Sequence, residues 1–140
     1  MKKTAKRRIK VTKKQWIDCG SYNDIYRISP RRIVKVPKHY FIKIAEKMIL
    51  DEIRGSKIQK FALPILDIVD VELPDGLVIP GILRRYIPNE YSYAKWRKLE
   101  NQHNLMNSWD ARPVNFRYDS KGTPWRVDTQ TRNIHMIDNF

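Results

Sequence analysis

The sequence predicts an α+β fold, and three observations carry that reading. Short runs of β-branched and aromatic residues alternate with polar ones, two stretches repeat their apolar residues at helical spacing, and Pro- or Gly-bearing turns separate them. The resulting order is three strands, a helix, two strands, a helix and a hairpin. A chain of 140 residues with 41% hydrophobic content has room for one domain with a modest core.

Each element follows from its residues. "WIDCGSYNDIYRI" reads as two strands around a turn, because Tyr26 and Ile28 alternate with polar neighbours. The turn "SPRR" leads into "RRIVKVPK", a third strand rich in β-branched residues. From Phe41 to Phe61, Ile44, Met48, Ile49 and Ile53 fall on one helical face. "LPILDIVDVELPDGLVIPGILRRYI" holds two more strands joined by "LPDG", with Pro64 before them and Pro88 after. Tyr93, Trp96, Leu99, Leu105 and Met106 make an amphipathic helix of the next stretch, and "NFRYDSKGTPWRVD" is a hairpin turning at "DSKG". Trp96, Trp109 and Trp125 read as core of this second half.

Charge divides the chain unevenly. The formal net charge is +13, and eight Lys or Arg residues with no acid occupy the first fourteen positions, leaving about +5 on the remainder. Residues 1–14 therefore read as a basic, disordered tail and 15–140 as the folded domain. A solvated extension is the first reading of such a tail, and contact with nucleic acid or an acidic protein surface is the alternative, since clustered cations gain affinity by releasing phosphate counterions. No apolar run suits a membrane span or a signal peptide, so a soluble, cytoplasmic protein without membrane contact is expected. The single cysteine, Cys19, excludes an intramolecular disulfide and a cysteine-cluster zinc site, and reads as a small buried hydrophobe. His39, His103 and His135 lack metal-ligand spacing, and no P-loop, nucleophile elbow or H-E-x-x-H motif is present.

Chemistry concentrates in "WDARPVNF", Trp109 to Phe116. Asp110 and Asn115 stand five positions apart, and Asp128 follows thirteen residues after Asn115, across the hairpin. An Asp beside a hydroxyl can accept its proton, while an amide oxygen and a carboxylate together can hold magnesium against nucleotide phosphates. The plainer reading of the same residues is a polar turn capped by Asp110 and a strand ended by Asp128. Upstream, the turn Gly20-Ser21-Tyr22 can bring backbone N–H groups toward phosphate. Lys35 lies on the third strand, where its plain reading is an edge gatekeeper. Glu52 follows seventeen residues later on the first helix, with Glu46 as the competing choice.

Taken in this order, the chain resembles the protein kinase family from about Ile17 to Asp128, and most closely the very small kinase-like proteins of phages and bacterial effectors. The resemblance implies a five-stranded N-lobe with one helix, about 15–87, and a strongly reduced C-lobe of helix, catalytic loop and hairpin, about 88–140. ATP and Mg2+ would be its cofactors, held between the lobes. Aligned on Ile25 and Tyr26, Gly20 takes the middle position of the glycine-rich loop, Asp18 and Asn23 the flanking ones, and Tyr22 its tip. By matching positions, Gly20, Ser21 and Tyr22 would cover the nucleotide, Lys35 would bind its phosphates and Glu52 would orient Lys35. Asp110 would be the catalytic base, Arg112 would face the γ-phosphate, and Asn115 with Asp128 would hold magnesium.

Departures from the pattern shape the expected function. Ser108 and Trp109 stand where the family has His-Arg, and Thr129-Gln130 replaces Phe-Gly after the metal-binding Asp. Twelve residues follow Asp128, so neither an ordinary activation loop nor the later peptide-binding helices are expected. The leading expectation is a minimal kinase that binds Mg-ATP and transfers the γ-phosphoryl group to a protein hydroxyl, on a host factor or on itself. The alternatives are a non-catalytic kinase-fold module that binds a partner protein, and a basic nucleic-acid-binding protein.

Overall fold

In the computed structural model of the chain, the described residues are 7–20, 22–105 and 112–129, without the side chain of Cys19. Expectations for Ser21, Met106, Trp109, Asp110 and His135 lie outside them. A six-stranded sheet, a three-stranded sheet and two α-helices make the fold mixed α+β. Two compact units divide the chain, Met1–Ile49 with Pro64–Tyr86, and Leu50–Leu63 with Ile87–Phe140.

The first unit contains the six-stranded sheet, in the order β1-β5-β6-β4-β3-β2. Its strands are β1 Arg8–Lys10, β2 Trp16–Cys19, β3 Asn23–Ser29, β4 Arg32–Pro37, β5 Asp67–Glu72 and β6 Val78–Arg85. All neighbours are antiparallel except β1, which runs parallel to β5. The β5–β6 turn is the predicted "LPDG", where Asp75 accepts the Leu77 N–H at 3.0 Å and Gly76 takes φ +90°, a conformation that favours glycine. Period-two alternation divides the buried residues of this sheet between its faces. Tyr26, Val34, Val36, Val69, Val71 and Leu83 pack in one core cluster, while Ile33, Lys35, Ile82 and Arg84 stand on the opposite face.

Residues 8–14 correct the tail expectation. Ile9 and Val11 are buried in the core cluster of the sheet, and Lys13–Gln15 form a 3-10 turn that leads into β2. The sheet therefore has six strands rather than five. The cause is an apolar alternation inside a basic run. Ile9 and Val11 turn inward, while Arg8 and Lys10 turn out and lie 4.0 and 3.7 Å from Glu72.

The predicted first helix begins as a 3-10 segment, His39–Ile44, and continues as α1, Ala45–Ile58. Ala45–Ile49 count with the first unit and the rest of α1 with the second. The second unit adds β7 Asn89–Glu90, α2 Tyr93–His103, β8 Phe116–Tyr118 and β9 Pro124–Arg126, with sheet order β7-β8-β9. Ser92 caps α2 by accepting the Lys95 N–H at 3.3 Å, and Asn104 ends it in the left-handed conformation. Trp96, Leu99, Leu105 and Phe116 form this unit's core cluster. Among the described residues, no helix is long and apolar enough to cross a membrane.

Candidate functional site

Local chemistry builds the predicted hairpin. Asp119 accepts the N–H groups of Lys121 and Thr123, each at 2.9 Å, and its second oxygen takes the Trp125 indole N–H at 3.1 Å. One side chain thus closes the turn and anchors the return strand. Before β8, Pro113–Asn115 form a 3-10 turn with proline at its start, and the Asn115 N–H donates to the Arg112 carbonyl at 3.0 Å.

The hairpin brings together both ends of the proposed magnesium pair. The Val127 N–H donates to the Asn115 carbonyl at 2.8 Å, so Asp128 follows directly on a residue bonded to Asn115. Asn115 is only 3% exposed and Asp128 is half-buried. The Arg126 guanidinium donates to the Asp128 carbonyl at 3.1 Å. One residue further on, the Thr129 hydroxyl donates to the Glu52 carbonyl at 2.9 Å, tying this strand end to α1. A parallel bridge of Ala62 with Arg126 holds the same strand from the other side. An amide oxygen and a carboxylate are hard donors of the kind magnesium takes, with water and phosphate oxygens completing its shell. Among the described residues, no three His, Cys, Asp or Glu side chains cluster as ligands.

Close approach of α1 to this segment depends on Gly55. A Cβ there would overlap the Thr129 carbonyl oxygen and lie 2.9 Å from its carbon. Of the two candidate helix glutamates, Glu46 is exposed and Glu52 is only 1% exposed.

In the first unit, Lys35 sits in the middle of β4, paired with Ile25 on one side and Ile82 on the other, and is 5% exposed. It is not at an edge, which removes the gatekeeper reading. The β2–β3 turn is closed by the Gly20 N–H on the Asn23 carbonyl at 2.9 Å, and the half-buried Tyr22 packs its ring 5.4 Å from Phe41. A Cβ at Gly20 would meet nothing within 4 Å. The protein's own packing therefore does not demand glycine at this position. Arg112 is exposed and starts the 3-10 turn before β8.

Buried charges that sequence reasoning passes over belong beside these. Arg84 and Arg126 are fully buried, and Asp51 precedes Glu52 in the interior. A signal for Arg84 is present: in "GILRR" the alternation that turns Ile82 inward also turns Arg84 inward. Comparison with models of known protein families gives no match, and none of the curated proteins matches the sequence.

Proposed function

We propose that this protein is a minimal kinase-like phosphotransferase that binds Mg-ATP and moves the γ-phosphoryl group to a protein hydroxyl. The observation that carries the reading is the hairpin geometry. Asn115 and Asp128, thirteen positions apart, are joined through the Val127 N–H bond, and the next residue is bonded to the helix that bears Glu52. The buried lysine at the centre of the other sheet supports the same reading.

In the reaction, Asp110 accepts the proton of the acceptor hydroxyl, whose oxygen attacks the γ-phosphorus in line. The bond to the bridging oxygen breaks and ADP leaves with that electron pair. Lys35 and Arg112 stabilise the phosphate charge, and Glu52 orients Lys35. Asn115 and Asp128 would hold magnesium, which would supply charge neutralisation at the phosphates.

The test is radiolabelled transfer to a mixed protein extract, alongside ATP binding by calorimetry. Asp110→Asn is expected to keep Mg-ATP binding while transfer falls by orders of magnitude; Asp128→Asn is expected to lose both. Wild type that binds Mg-ATP but labels no acceptor, itself included, would favour a nucleotide-binding module without catalysis. Two variants that bind ATP and transfer phosphate as wild type does would return both residues to turn cap and strand end.

A further inference from the structure

The first unit holds a groove of about 600 Å³ that the phosphotransferase reading does not use. Tyr26 and Val36 are buried residues of its lining. They stand on the sheet face opposite to Lys35, because Tyr26 pairs with Val34 and Asp24 with Val36 while side chains alternate along both strands. Lys13 and Trp16 line it from the crossing between β1 and β2, Lys38 and Tyr40 from the segment after β4, and Asp75 from the β5–β6 turn.

Three features of these residues point to one ligand chemistry. Trp16 is 46% exposed and Tyr40 87%, so two large rings present their surface to water. The indole is held in place, since its N–H donates to Asp24 at 3.2 Å. A fixed, exposed ring is a platform on which a planar group can stack.

The second feature is charge. The first unit carries seventeen Lys and Arg against seven Asp and Glu, and neither Lys13 nor Lys38 has an ion-pair partner among the described residues. Exposed Lys14 continues this cationic character beside Lys13.

The third feature is a pair of carboxylates, Asp24 and Asp75, in the same lining. Among the described residues Asp24 uses one oxygen, for the indole, and its other oxygen is open to a donor on a ligand. Asp75 is engaged by the Leu77 N–H at 3.0 Å and lies 3.4 Å from His39. Burial, then Asp24 and Asp75, push the Tyr26 phenol up from its ordinary value, so it remains a proton donor across neutral pH. Carboxylates repel phosphates but accept from the amino groups of bases.

We propose that this groove binds single-stranded nucleic acid, with bases stacked on Trp16 and Tyr40, base amino groups facing Asp24, and phosphates met by Lys13 and Lys38. An acidic peptide would use the lysines and leave the rings and carboxylates without partners. A duplex would keep its bases stacked on each other and away from the rings. A free nucleotide has one base and would leave one of the two exposed rings without a stacking partner.

The experiment measures fluorescence anisotropy of a labelled single strand of about a dozen nucleotides with the full chain, at several salt concentrations. Binding is expected to be tighter than to a duplex of the same sequence or to polyglutamate. Trp16→Ala and Tyr40→Ala are each expected to weaken it about tenfold without altering the salt slope, and Trp16→Phe to restore most of the loss. Lys13→Gln and Lys38→Gln are expected to lower the slope by about 0.7 each. Asp128→Asn is expected to leave oligonucleotide affinity unchanged, which separates this inference from the ATP reading.

The proposal is overturned if both alanine variants bind as wild type does while the lysine variants fail, because binding is then electrostatic only. Equal affinity for polyglutamate or for duplex would overturn it too. So would adenosine monophosphate that binds as tightly as the strand, which would make the groove a mononucleotide pocket.

Discussion

Gly20 has open space around the position of its missing side chain and no left-handed φ, so neither crowding nor conformation explains it. In the proposed phosphotransferase, that open backbone would lie against a ligand phosphate. Gly20→Ala is therefore expected to leave the melting temperature within a degree or so while weakening Mg-ATP binding; equal ATP affinity by calorimetry would remove Gly20 from the site.

Two tyrosines give a second check at this scale. Burial first, then Asp24 and Asp75 for Tyr26, and burial first, then Tyr118 and Asp119 for Tyr91, push both phenols upward from 10.0. A phenol with a raised folded pKa contributes its full stability below pH 10, and that contribution is lost as pH climbs toward the folded value. Ultraviolet titration is expected to show Tyr26→Phe and Tyr91→Phe each removing a late-ionising phenol. Stability of the wild type is expected to fall more steeply above pH 10 than that of either variant.

At the level of elements, the segment bearing Asp128 is placed by contacts with α1 as much as by its own hairpin. The Thr129 hydroxyl on the Glu52 carbonyl requires backbone approach, and the absence of a side chain at Gly55 permits it. Gly55→Ala raises intrinsic helix propensity and would stabilise an exposed helix, but here the overlap with Thr129 is expected to win, costing about 1–3 kcal/mol. Chemical denaturation would show it, and Mg-dependent ATP binding is expected to weaken in parallel. A rise in stability would mean that the segment gives way freely.

β1 supports a further expectation. A chain beginning at Lys14 lacks the buried Ile9 and Val11 and the parallel strand pairing with β5, which together are worth about 3 kcal/mol or more. It is expected to melt several degrees below the full chain. Equal melting temperatures would show that these contacts contribute nothing net.

For the whole molecule, nucleotide binding is read in overall stability. Mg-ATP at a hundred times its dissociation constant is expected to stabilise the wild-type chain by about 2.7 kcal/mol. The same addition is expected to shift Lys35→Ala and Asp128→Asn far less, each compared with its own ligand-free melting. A wild-type chain unmoved by millimolar Mg-ATP would leave the fold without a nucleotide role.

Periodicity and turn chemistry make most elements legible in the amino-acid sequence. Alternation in "RRIVKVPK", Gly76 in "LPDG" and Asp119 in "DSKG" act within a few residues, and β4, the β5–β6 turn and the β8–β9 hairpin follow from them directly. The same local patterns set Asn115 and Asp128 at either end of a hairpin, where Val127, the neighbour of Asp128, bonds to Asn115. What lies beyond depends on contacts distant in sequence. Ile9 and Val11 read as part of a charged tail because their burial requires β5, some sixty residues away. Asn89–Glu90 become a strand only through pairing with β8. Gly55, Arg84 and Arg126 gain their roles from what packs against them. The groove beside Trp16 and Tyr40 exists because the fold brings a crossing, a strand end and a turn together. Local sequence determined the elements through short-range sterics and hydrogen bonds; tertiary structure decided which polar groups are buried, because burial is a property of neighbours that the chain supplies from elsewhere.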